Sequence, residues 1–107
     1  MAALRLPAEW ELQDIIQIEF PSRQSDWIDY WEDVIPCYLH IIKVISSYQP
    51  LLIVCDDETE LRFYLSDVDL TNIYIVELPV NDTWARDHGP ITVEHGNEFL
   101  IYDFMFN

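Results

Sequence analysis

Pro50-Leu51-Leu52-Ile53-Val54-Cys55 is an unbroken apolar run of strand length. It predicts a strand buried on both faces, because a half-exposed strand would alternate apolar and polar residues. The residues before it follow a different period. From Asp26 to about Ser47, Trp27, Tyr30, Trp31, Val34, Tyr38, Ile41, Ile42 and Ile45 recur three or four apart, which predicts a helix with one apolar face. Ser25 or Asp26 can cap its start, and Asp29, Glu32 and Asp33 suit its positive end. Pro36 lies inside the run and predicts a kink or a break into two helices there. After the strand, Asp56-Asp57 can cap a short helix at about 58–66.

Three further segments complete the pattern. LQDIIQIEF at 12–20 reads as a strand ended by Pro21-Ser22, and Ile73-Tyr74-Ile75-Val76-Glu77-Leu78 as another. Ile91–Glu94 and Glu98–Phe104 flank the turn residues His95-Gly96-Asn97, which predicts a hairpin. The order is β-α-β-α-β-loop-β-β, an α/β layout with a mixed sheet and flanking helices. The closing residues Asp103-Phe104-Met105-Phe106-Asn107 read as an apolar strand with no polar tail, which suggests a cut rather than an end.

The charge excludes some partners. Twenty Asp+Glu against five Lys+Arg give a net charge of −15, which repels phosphate backbones and anionic membrane surfaces. The acidity serves solubility on its simplest reading, and a field attracting amines or guanidines on its sharper one. At 107 residues, half of them hydrophobic, the chain can build one small domain and not two. No apolar run approaches a membrane span, and the first residues lack the apolar core of a signal peptide, so a cytoplasmic chain is expected. Cys37 and Cys55 form no CxxC unit and no metal-ligand pattern; two buried thiols are the default, with a disulfide as the alternative.

The densest chemistry lies in the loop Asn81-Asp82-Thr83-Trp84-Ala85-Arg86-Asp87-His88-Gly89-Pro90. Loops at strand ends are where an α/β scaffold displays ligand-contacting groups. A carboxylate can accept two N–H bonds from a guanidinium while an indole face takes its charge. The alternative is a capped turn in which Arg86 pairs internally with Asp82 or Asp87.

The segment NDTWARDHGPI, with LPAEWE at 6–11 and FPS at 20–22, resembles the agmatine deiminase and bacterial peptidyl-arginine deiminase family. The resemblance runs over nearly the whole chain in family order. It implies the N-terminal portion of a five-bladed α/β-propeller (the pentein, or guanidino-group-modifying, fold), about one blade and the start of the next. The implied activity is deimination of a guanidino group, turning agmatine into N-carbamoylputrescine and ammonia, or peptidyl-arginine into citrulline. A place in putrescine and polyamine production goes with the first substrate. No cofactor and no metal are implied; the implied partner is a small cationic guanidino substrate or an arginine side chain.

Residue by residue, the resemblance makes Asp87 the principal guanidinium ligand and Trp84 a wall of the same pocket. Arg86 is implied to orient the loop or its carboxylates, with Asp82 and His88 as neighbours shaping the site. Glu9 and Trp10 match the opening motif and read as mainly structural, with a role in the pocket as the alternative. The family's opening continues with Pro-His where Leu12-Gln13 stand here, so the early histidine's role has no bearer. The implied chemistry is attack by a cysteine thiolate, loss of ammonia, and hydrolysis aided by a histidine general acid/base. Both catalytic groups are expected beyond residue 107, so no catalytic residue is assigned here and the chain alone is expected to be inactive. Cys37 on an apolar helix side and Cys55 in an apolar strand should have hidden thiols with raised pKa.

His40 and His95 carry no catalytic assignment. Trp27, Tyr30 and Trp31 read as core rather than a stacking platform, and Asp56, Asp57, Glu58 and Glu60 as a solvated helix start rather than a metal site. Phosphate-loop, GxSxG and HExxH motifs are absent from the sequence. Two other functions compete: an acidic module that binds a cation or a protein without turnover, and a structural remnant. The apolar strand at 98–106 predicts self-association of the isolated chain.

Overall fold

The computed structural model describes residues 4–8, 10–79, 91–95 and 98–102. The strands fall into two three-stranded sheets rather than one mixed sheet. They belong to two compact units, one of residues 14–83 and one of residues 1–13 with 84–107.

The larger unit runs β2 (Ile16–Glu19), a 3-10 helix (Asp26–Tyr30), α1 (Trp31–Ser46), β3 (Leu51–Cys55), α2 (Glu58–Tyr64) and β4 (Ile73–Glu77). β3 is the central strand, parallel to β2 on one side and β4 on the other. Parallel neighbours require crossovers, and the two helices supply them. Register aligns Ile16, Leu51 and Ile73 across the sheet, then Ile18, Ile53 and Ile75. These rows form the covered face. Val34, Ile35 and Ile42 of α1 and Leu61 of α2 join Leu51, Ile53, Cys55, Leu65 and Ile73 in one core cluster. Both helices therefore pack on the same face, as right-handed crossovers require.

That arrangement corrects the expectation that β3 is buried on both faces. Leu51, Ile53 and Cys55 are buried, while Leu52 and Val54 on the other face are only half-buried. Among the described residues no helix covers that second face, where Tyr74 and Val76 are exposed. The first strand also proves shorter than 12–20, because β3 offers register partners only from Ile16 onward; Leu12 and Ile15 are exposed.

The expected break in the long helix falls at Tyr30, not at Pro36. The Ser25 side chain accepts from the Trp27 amide and starts a 3-10 turn, which gives way to α-helix at Trp31. Pro36 stays inside α1. It removes one backbone bond, to the Glu32 carbonyl, and both residues are exposed, so water can take that acceptor. The apolar face is also narrower than the spacing suggested. Tyr30 and Ile41 are exposed. Trp27 and Trp31 are partly buried against the core, as expected.

α2 starts as its sequence implied, with the Asp57 side chain accepting from the Glu60 amide at 3.0 Å. Glu58 pairs with Arg62 one turn on at 3.2 Å.

In the smaller unit, β5 (Ile91–His95) and β6 (Glu98–Tyr102) form the expected hairpin, with His95 opposite Glu98. β1 (Leu4–Arg5) pairs antiparallel with β5, Leu4 opposite His95 and Arg5 opposite Glu94. The Arg5 guanidinium bridges Glu94 at 2.5 Å and Glu11 at 2.8 Å. Glu11 also accepts from the Ala8 amide at 2.6 Å, which closes the turn of the opening motif. These bonds hold the Glu11 carboxyl below its ordinary pKa, the Arg5 bond first. Trp10 on that turn is 89% exposed and is not a core residue.

Candidate functional site

In a parallel sheet all strands deliver their connections to one edge, and ligands of open α/β sheets bind outside the carboxyl ends. Three segments leave the sheet of the larger unit there. β2 runs out through Phe20-Pro21-Ser22, β3 through Asp56-Asp57 and β4 through Leu78-Pro79. The exits are tied together. The Phe20 amide bonds the Val54 carbonyl and the Leu78 amide the Cys55 carbonyl, each at 2.8 Å. The buried Ser22 hydroxyl donates to the Asp56 carboxylate.

β4 thus leads from this edge into the segment that holds Asp82, Trp84, Arg86, Asp87 and His88. All five lie outside the described residues, as does Glu9. The structure therefore fixes where that segment departs, and the assignment of the side chains rests on sequence.

Beside the exits lies a cleft of about 270 Å³ lined by Arg23, Trp31, Cys55, Asp56, Asp57 and Glu60 among others. Its geometry centres on Arg23. The guanidinium carbon stands 4.6 Å from the centroid of the Trp31 ring. Arg23 Nε donates to both carboxylate oxygens of Glu60 at 3.1 Å, and Nη2 reaches the Tyr64 hydroxyl at 3.5 Å. The same hydroxyl accepts the Trp31 indole N–H at 3.2 Å, which sets the ring plane. Glu60 raises the Arg23 pKa above its ordinary value. Trp31, expected to be core alone, thus presents a ring face to a cation as well. No local pattern signals this contact, because Arg23 and Glu60 are 37 positions apart.

The two thiols differ. Cys55 is 2% exposed at the end of β3, and burial, then the Glu58 and Glu77 carboxylates, push its pKa to about 11. A thiol so placed is protonated at neutral pH and is no nucleophile, as expected. Cys37 corrects the expectation, since it is exposed. Its position on α1 falls beside Ile41 and Val44, outside the stripe of Val34, Ile35 and Ile42 that meets the sheet. Both thiols are free. His40 is exposed on the same helix.

Among the described residues, no group of three or more His, Cys, Asp or Glu side chains is placed to hold a metal ion. Asp56 to Glu60 are instead occupied by the Ser22 bond, the α2 cap and the two arginine pairs. Also among the described residues, no helix is long and apolar enough to cross a membrane.

Comparison with known proteins gives one consistent result. The family model described as Porphyromonas-type peptidyl-arginine deiminase matches residues 5–107. An agmatine deiminase of Pseudomonas aeruginosa (strain LESB58) is 29% identical over 104 residues, covering 96% of this chain and 28% of that protein. One from Ectopseudomonas mendocina (strain ymp) is 28% identical over 103 residues, with 95% and 28% covered. Among solved structures, a C. jejuni agmatine deiminase with substrate bound superposes with a TM-score of 0.89 at 28% identity. That match covers 98% of this chain and 31% of the C. jejuni chain. This chain therefore spans less than a third of the length of these relatives.

Proposed function

We propose that this chain, which belongs to the Porphyromonas-type peptidyl-arginine deiminase family, is the guanidinium-binding leading segment of a guanidino-deiminating hydrolase. The observation that carries this is the match over residues 5–107, joined to a TM-score of 0.89 against a deiminase solved with substrate. The substrate of the whole enzyme would be agmatine, giving N-carbamoylputrescine and ammonia, or peptidyl arginine, giving citrulline. With agmatine, the N-carbamoylputrescine released would be a precursor for putrescine production in the cytoplasm. In the full enzyme this segment would form about one blade, and the start of the next, of a five-bladed propeller.

Asp87 is the principal ligand in this reading. A carboxylate accepts a fork of N–H bonds from the planar cation, and Trp84 stacks on its face. Arg86 orients the loop, with Asp82 and His88 at its margins. The thiolate that attacks the guanidinium carbon, and the histidine that moves protons, belong to the part of such an enzyme this chain does not span. The buried, protonated Cys55 supports that division.

Comparing agmatine with putrescine tests the reading. Both are dications, so the −15 net charge attracts them alike, and only agmatine carries a guanidino group. Agmatine is expected to change tryptophan emission of the chain saturably, and putrescine at equal ionic strength is not. Equal responses would mean that charge alone is being read.

We further propose that the isolated chain self-associates through β6. The strand lies at one end of the order β1-β5-β6, so it pairs on one side only among the described residues. Light scattering at tens of micromolar is expected to show dimers or larger species. A monodisperse monomer contradicts this.

A further inference from the structure

We propose that Trp31, Glu60 and Tyr64 form a second guanidinium seat, built from residues other than those of the Asp87 segment, which the chain fills with its own Arg23. The seat takes an arginine side chain or a small alkylguanidinium, and Arg23 is its ligand in cis.

Three contacts define the ligand class. The Trp31 ring lies 4.6 Å from the guanidinium carbon, a distance at which a flat cation gains from the ring's negative face. Glu60 takes the Nε hydrogen on both oxygens at 3.1 Å. Tyr64 supplies a hydroxyl to Nη2 at 3.5 Å. An ammonium has no plane to stack and no fork to divide between a carboxylate and a hydroxyl, so lysine does not replace arginine here.

The seat is built independently of Arg23. Glu60 and Tyr64 stand one turn apart on α2, and neighbours at that spacing share a face. Tyr64 packs against the buried Phe20, with ring centroids 6.2 Å apart, and its hydroxyl fixes Trp31 through the indole N–H. Removal of Arg23 should leave these three groups in place. The seat is also open to exchange, since the Arg23 side chain is 54% exposed while that of Glu60 is 26%. The adjoining cleft of about 270 Å³ leaves room for a ligand entering from solvent. Occupied by Arg23, the seat fastens the turn after β2 to α2, and so bears on the edge from which β4 departs.

Chemical rescue of the 107-residue chain tests the seat. Arg23→Gly is expected to melt a few degrees below wild type. Methylguanidinium at low millimolar concentration should restore most of that loss by mass action, and methylammonium at equal ionic strength should restore none. In Arg23→Gly/Glu60→Gln the rescue should vanish. Equal effects of the two cations on folded Arg23→Gly would overturn the proposal.

Should Arg23→Gly not fold, the wild-type chain gives its own test. The Arg23 Nε–H resonance, assigned by its loss in Arg23→Lys, is expected upfield of those of Arg5 and Arg62 through the Trp31 ring current. It should return to their range in Trp31→Leu. A wild-type Arg23 resonance already within that range would overturn the proposal on the same footing.

Discussion

Replacing Ile53 by alanine is expected to cost about 2–5 kcal/mol, the range found for emptying a fully buried Ile or Leu site. Ile53 is 0% exposed at the middle of the central strand, with Ile18 and Ile75 beside it in register. Helices press on it from one side, and strands flank it on two others, so collapse around the lost atoms is limited. A unit of this size has a total stability of roughly 0.05–0.15 kcal/mol per residue, so the loss takes a large share of it. Urea denaturation read by far-UV circular dichroism measures the difference. Val76→Ala, on the exposed side of β4, is the control and should cost under about 0.5 kcal/mol. Similar costs at the two positions would mean that the core does not lie on the face described.

Asp87→Asn is expected to weaken agmatine binding about 10- to 100-fold, as losing a charge-assisted hydrogen-bonded pair does. The amide keeps the shape of the side chain but loses the charge and puts an N–H donor where the guanidinium needs an acceptor. Asp82→Asn changes the net charge equally and should weaken binding less. Isothermal titration of the three proteins at one salt concentration separates the outcomes. An equal loss in both variants would reduce Asp87 to a contributor to the general field. An unchanged affinity in Asp87→Asn would remove it from the site.

Local signals in the sequence transferred well. The switch from a helical period before Pro50 to a continuous apolar run after it located α1 and β3, and Asp57 marked the start of α2. The turn signal His95-Gly96-Asn97 predicted a hairpin, and β5 does pair antiparallel with β6, though His95 lies in the strand opposite Glu98 rather than in the turn. What the sequence hid was non-local. Leu4 and Arg5 form a strand only because Glu94 and His95 receive them, and two residues carry no period. The two faces of β3 are equally apolar, so burial of one depends on where both crossovers pass. Pro36 could be read as a break only while the exposure of Glu32 was unknown.

The candidate site was legible in a different way. The residue types between Val80 and Pro90 state their chemistry without any fold, since a carboxylate beside an indole suits a flat cation wherever it stands. The Arg23 seat is the opposite case. Its groups come from the turn after β2, the start of α1 and one face of α2. Each alone is an ordinary surface or half-core residue, and only folding makes them a site.

On the proposed function, this chain binds guanidinium through the segment after β4. The agmatine and putrescine comparison, followed residue by residue in backbone amide NMR of the 107-residue chain, tests it most directly. Agmatine is expected to shift the amides of residues 82–88 saturably, with putrescine leaving them in place. Identical shifts from the two amines, or agmatine shifts confined to other residues, would contradict it.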